Sequence, residues 1–183
     1  MKHLYLIGGP MGVGKTAACR ALQRRLDRCV FLDGDWCWDA RPFQVTAETK
    51  GMVMENIAFL LNNFLRCTAY DHVIFCWVLH QQTIWEDLRS RLDTGCCEVH
   101  SAALVCGEEA LRRRIAGDVR AGIRSPDAAD RALQYLPLYA ALTDIPLLDT
   151  TALSPEETAE TILHQEEKEC AVWKTAPVSA LCP

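Results

Sequence analysis

Eight consecutive residues near the start of the chain carry its strongest chemical signal: Gly9-Pro10-Met11-Gly12-Val13-Gly14-Lys15-Thr16. They complete the spacing GxxxxGK[ST], which suits polyphosphate. Glycines let successive backbone N–H groups turn inward, so Gly9, Met11, Gly12, Val13 and Gly14 can line a β-phosphate, with Ala17 just inside the helix that follows. Lys15 is spaced to reach the β- and γ-phosphates. Thr16 offers a hydroxyl of the type and position that ligates Mg²⁺. A helix opening at Lys15 would add the partial positive charge of its N-terminus. The motif therefore predicts a nucleoside triphosphate site. The plain alternative, a glycine turn between strand and helix, needs none of Lys15, Thr16 or the spacing between them.

A second group of acids follows at Asp33-Gly34-Asp35. Both carboxylates fall at the predicted end of a strand, where open α/β sheets bind ligands. A spacing of two puts side chains on one side of extended chain, a rule that a turn at Gly34 loosens. Phosphoryl transfer to a hydroxyl needs a metal and a carboxylate to take the proton, so the pair fits the phosphate loop. Asp-Gly is equally a common turn signal. Trp36, Trp38, Arg41 and Phe43 come next and read either as walls of an acceptor pocket or as core under a helix.

Between Leu111 and Arg131 lie six arginines and three aspartates, in a chain of net charge −5. The planar fork of arginine matches phosphate oxygens, and an arginine closing on a transferring phosphoryl group stabilises its charge. Arg114, Arg120 and Arg124 are the candidates. Gly117 and Gly122 are possible hinges for a lid at about residues 112–126. For Arg112 and Arg113 a solvated helix face is the simpler reading, with pairs such as Arg114–Asp118 at i,i+4.

These groups need a scaffold, and the apolar pattern supplies one. Short apolar runs at Leu4–Ile7, Cys29–Leu32, His72–Leu79, Val99–Cys106 and Ile145–Asp149 read as strands. Helical periodicity falls between them at Thr16–Leu26, Thr46–Arg66, Thr83–Leu92, Glu108–Arg120 and Asp127–Leu142. Ser154-Pro155-Glu156-Glu157 opens a last helix with an N-cap, a proline and first-turn acids. Strands alternating with helices imply a parallel sheet covered on both faces. One domain is expected over 1–169, with a tail over 170–183.

In this order the motifs resemble the small-molecule kinases of the P-loop superfamily, among them shikimate, gluconate and adenylylsulfate kinases and the nucleotide kinases. Gly9 to Thr16, Asp33-Gly34-Asp35 and the arginine-rich segment carry the resemblance over about residues 3–165. It implies a three-layer α/β/α fold with a five-stranded parallel sheet of order 2-3-1-4-5, and phosphoryl transfer from ATP with Mg²⁺ to a small-molecule acceptor. It also implies roles: Asp35 on the acceptor hydroxyl, Asp33 at the metal or its waters, and Thr151 beside the adenine. His80 would meet acceptor or a metal-bound water, unless it is a strand-end hydrogen bonder. Nucleotide or nucleoside phosphorylation and a non-catalytic nucleotide-binding regulator remain open.

Composition narrows the surroundings. Half the residues are apolar and 23% are charged, a globular balance. The negative net charge disfavours a broad nucleic-acid surface, which lowers a polynucleotide 5′-kinase. No NKxD occurs, and no DxxG follows the third strand, as a GTPase would need. An AAA+ or helicase motor would carry acids where the third strand here ends Trp77-Val78-Leu79-His80. Ten cysteines without a CxxC read as reduced thiols in a cytoplasmic protein. No stretch reaches the roughly 20 apolar residues of a membrane span, so no membrane partner is expected. A monomer or homodimer would suffice.

Overall fold

Alternation along the strands sorts the core into two layers. The computed structural model describes the backbone of residues 1–173 and the side chains of residues 1–164. Strand β1 (Lys2–Gly8) sends Tyr5 and Ile7 to one face of the sheet and Leu4 and Leu6 to the other. Its neighbours β2 (Cys29–Asp33), β3 (His72–Cys76), β4 (Cys97–Val105) and β5 (Leu147–Asp149) complete a five-stranded sheet of order β2-β3-β1-β4-β5. Every pairing is parallel. This is the predicted order, and with helices on both faces it gives a three-layer α/β/α sandwich.

Helix α1 (Lys15–Arg25) lies on the face of Tyr5 and Ile7, where Cys19 and Leu22 are buried without solvent contact. Helices α4 (Glu108–Arg120), α5 (Ala128–Leu133) and α7 (Pro155–Trp173) share that face through Ile115, Ala132 and Ile162. The opposite face is covered by α2 (Ala47–Arg66), α3 (Gln82–Ser90) and α6 (Leu136–Ala140). Ile57, Leu61, Trp85 and Tyr139 fill that layer without solvent contact. Burying each such side chain contributes roughly 1.5–3 kcal/mol, so the β1 strand between two filled layers is the rigid axis of the molecule.

Several boundaries follow their predicted causes. Thr46 starts α2: its hydroxyl accepts from Thr49 N at 3.1 Å, and Thr46 N donates to the Thr49 hydroxyl at 2.9 Å. Two orphan amides are thereby satisfied. Others differ. The helix expected over 127–142 is broken into α5 and α6. Pro137 has no N–H for the Leu133 carbonyl and its ring clashes with an incoming turn, so the helix restarts with Pro137 in its first turn. Strand β3 stops at Cys76 rather than Leu79, and Leu79 takes a φ of 32°. The predicted tail, 170–183, begins within α7, and its residues 174–183 lie outside the described residues. The eight cysteines with described side chains are free thiols.

Candidate active site

All the strand carboxyl ends open on one cavity of about 950 Å³. Pro10 to Ala17 run along its floor, so Met11, Gly12, Val13, Gly14, Lys15, Thr16 and Ala17 all line it. Gly14 precedes the first turn of α1 with a φ of 106°. That left-handed backbone is open to glycine and strained for any other residue. Gly9 stands behind the lining, and its carbonyl accepts a hydrogen bond from Lys15 Nζ at 2.8 Å. Pro10 O accepts another at 3.0 Å. The ammonium is thus folded over the loop it must serve. Burial pulls the Lys15 pKa down, and the carboxylates of Asp35 and Asp33 act against that pull.

Thr16 and Asp33 are in direct contact. The Thr16 hydroxyl donates to Asp33 Oδ2 at 2.8 Å, while Asp33 Oδ1 accepts the Asp35 amide at 3.2 Å. Asp33 is only 7% exposed. A hydroxyl and a carboxylate at this contact are hard oxygen donors of the kind Mg²⁺ takes alongside phosphate and water. The donor set therefore fits the ion that the loop motif implies.

Asp35 is exposed at the cavity wall, in a 3-10 turn that begins at Gly34. Trp77 Nε1 donates to its Oδ1 at 3.2 Å. Among the described residues nothing donates to Oδ2. Gly34 makes this possible by close approach: a Cβ there would sit 2.5 Å from Trp77 Cγ. The two aspartates line one cavity but answer to different partners, Thr16 for one and Trp77 for the other.

The arginines divide three ways. Arg114 Nη1 donates to Val13 O at 2.8 Å and to Thr150 Oγ1 at 3.2 Å, and Nη2 donates to Thr150 O at 2.6 Å. It bridges the phosphate loop to the end of β5 instead of pairing with Asp118. Arg124 takes Asp118, Nε to Oδ2 at 2.8 Å, and lines the cavity. Arg120 is exposed at the end of α4 and outside the lining. Arg112 pairs with Glu108 and Asp130, the solvated-face reading. Arg131 lines the cavity and bonds Ser125 and Asp127, though nothing in the sequence separated it from its neighbours.

The cavity straddles β1. On the β4–β5 side are Arg114, Thr150, Leu153, Pro155 and Thr158; on the β2–β3 side are Asp35, Phe43, Trp77 and His80. Thr151 is just outside, its hydroxyl accepting from Gly107 N at 2.8 Å. Trp36 and Arg41 are also outside. Trp36 packs edge-on against Phe31 at 5.3 Å, with the Arg20 guanidinium 5.2 Å from its ring centre. Trp38 supports the wall indirectly by packing on Phe43 at 4.4 Å. Tyr135 meets His80 edge-on at 4.8 Å, and Tyr139 donates its hydroxyl to Val78 O. Trp77, Tyr135 and Tyr139 went unrecognised in the sequence. The available signals were an aromatic just past β3 and a tyrosine pair at i,i+4.

His80 lines the cavity with Nδ1 buried and unpartnered. Burial lowers its pKa, and the charge of Lys50 lowers it further.

A glycine-rich loop between β1 and α1, on a parallel sheet of this order, defines the P-loop nucleotide-binding fold. The chain belongs to the AAA domain family, whose profile matches residues 6–130. The sequence disfavours an AAA+ motor for want of acids after the third strand; the chain nonetheless matches an AAA domain, and its Trp77–His80 segment carries no carboxylate. Among solved structures the chain is similar to a gluconokinase from Sinorhizobium meliloti 1021, at 16% identity and TM-score 0.68, over 95% of this chain and 98% of that one. It is similar to the Deinococcus radiodurans tunicamycin resistance protein, at 17% identity and TM-score 0.66, over 91% and 96%. Shikimate kinase from Acinetobacter baumannii, in complex with shikimate, follows at 21% identity and TM-score 0.58, over 92% and 94%. No curated protein matches the sequence. No described helix is long and apolar enough to cross a membrane.

Proposed function

We propose that the chain transfers the γ-phosphoryl group of ATP to a small acceptor bearing a hydroxyl or a phosphate. One observation carries the reading: Asp35 faces the same cavity as Lys15 and Thr16, with Oδ1 held by Trp77 and Oδ2 open to a ligand. Kinases among the similar folds support it.

In this reading the adenine rests on the β4–β5 side, against Thr150, Leu153 and Pro155, and Arg114 stiffens that end. Thr16 and Asp33 would hold Mg²⁺, which supplies charge neutralisation for the phosphate oxygens when bound. Lys15 leaves the Gly9 and Pro10 carbonyls for the β- and γ-phosphates. On the β2–β3 side an acceptor hydroxyl meets Asp35. As the acceptor oxygen bonds to the γ-phosphorus, its proton passes to Asp35 and the bond to the β-phosphate oxygen breaks, releasing ADP. Of the three arginines, Arg114 and Arg124 line the cavity, and Arg114 is committed to Val13 and Thr150, which leaves this task to Arg124. Arg120 reaches it only if the segment around Gly122 closes.

The walls of Phe43, Trp77 and Tyr135 favour an acceptor with an apolar or flat face, which keeps a nucleoside acceptor as the second reading. ADP release with pooled metabolites, comparing wild type with Asp35→Asn, is the test. Turnover stimulated by an acceptor and lost in the variant supports transfer. ATP binding without stimulation by any pool, and no effect of the substitution, favours a regulator.

A further inference from the structure

The far end of the sheet carries a second constellation that the nucleotide site does not use. Parallel register sets His3 beside His72 on one side and Glu98 on the other, and Tyr5 beside His100. Alternation turns His3, Tyr5, Glu98 and His100 to one face. They sit at the amino ends of β1 and β4. Five residue steps along the strand, roughly 17 Å, separate His3 from Gly8 at the phosphate loop.

Three donor atoms converge there. His3 Nδ1 is 3.2 Å from His100 Nε2 and 3.6 Å from Glu98 Oε2, and all three atoms lie within 4.8 Å of one another. A tetrahedral Zn²⁺ with bonds of about 2.0–2.1 Å has ligand–ligand edges of roughly 3.3–3.4 Å. These two edges bracket that value, and the third is within 4.8 Å. His100 is 7% exposed and stacked on Tyr5 at 5.0 Å, which fixes its ring. His3 and Glu98 are more open, with side chains 26% and 30% exposed, so an ion can enter from solvent. The two rings lie within 12° of parallel with centres 5.5 Å apart, so their facing nitrogens meet nearly head-on, and an ion bound to both requires the more open His3 ring to turn toward it.

We propose that His3, Glu98 and His100 form a binding site for a borderline divalent transition-metal ion, Zn²⁺ first, tying β1 to β4 away from the nucleotide. Two imidazoles and a carboxylate suit Zn²⁺, Co²⁺ or Fe²⁺ and not Mg²⁺, so the site is chemically separate from Thr16 and Asp33.

The test is titration of the full, untagged chain with Zn²⁺ and with Co²⁺, in excess Mg²⁺. One tight equivalent is expected, with a rise in Tm that saturates at that equivalent. Bound Co²⁺ should show visible d–d bands without the intense thiolate charge-transfer bands that cysteine ligation would give. His3→Ala and Glu98→Gln, both at partly open positions, should each weaken binding by about tenfold or more. Their thermal shift with ATP and Mg²⁺ should match wild type. Thiolate bands, absence of binding, or wild-type affinity in both variants would overturn the proposal and leave a hydrogen-bonded histidine pair only.

Discussion

The Thr16 hydroxyl and the Asp33 carboxylate touch at 2.8 Å across the gap between the first turn of α1 and the end of β2. Neither is spare: Asp33 also holds the Asp35 amide. The contact holds the two oxygens proposed for Mg²⁺ side by side. Asp33→Asn keeps the shape and removes the charge. The gain in ATP affinity on adding Mg²⁺ should then fall by about tenfold or more, while affinity without Mg²⁺ changes little. Calorimetry with and without the ion measures both. An unchanged Mg²⁺ effect would remove Asp33 from the metal site.

Arg114 makes a second prediction, about stability. Its guanidinium supplies donors to Val13 O, Thr150 O and Thr150 Oγ1, joining the loop to the end of β5. Thr150 is 2% exposed, so its carbonyl has little access to water once the donor goes. Arg114→Ala should cost about 2 kcal/mol in urea unfolding. Arg114→Lys should not restore the loss, because one ammonium cannot span a two-pronged geometry. Full rescue by lysine would show that charge alone matters there.

Much of this arrangement was legible beforehand, and the reasons are local. Gly14, Lys15 and Thr16 lie within three residues, so their geometry comes from one turn of chain. Asp33 and Asp35 are fixed by where β2 stops, which an apolar run marks well. Strand order was read from resemblance and agrees with the sheet. The pocket walls were harder. Trp36 looked like the pocket aromatic because it follows Asp35, yet the 3-10 turn carries it outward onto Phe31 and Arg20. Trp77, 42 residues later, occupies the place beside Asp35 instead. Such pairs form only when β2 and β3 come together, and spacing along the chain holds no record of them. The same is true of Arg114, whose acceptors lie 101 and 36 residues away.

The Trp77–Asp35 bond yields a third prediction. Trp77→Phe keeps an aromatic wall and deletes the donor to Oδ1. Asp35 would then lose its orientation but keep its charge. Once an acceptor is known, kcat should fall by about tenfold while the ATP-induced thermal shift stays as in wild type. If kcat is unchanged, the indole does not orient the carboxylate.

His80 gives the last prediction, on pH. Burial, with the Lys50 charge behind it, holds its folded pKa below the ordinary value near 6.5. The folded state therefore keeps His80 neutral where the unfolded chain has begun to bind a proton. Stability from this group is fully present above about pH 6.5. It declines as pH drops below that value, and is gone once pH has passed the folded pKa. His80→Gln removes the titration and keeps a polar tip. The wild-type Tm should drop more steeply than the variant's between about pH 7 and pH 5, and Lys50→Met should make the wild-type slope shallower. Parallel profiles for wild type and His80→Gln would mean that the ring is solvated on folding. The buried, unpartnered Nδ1 would then have no energetic consequence.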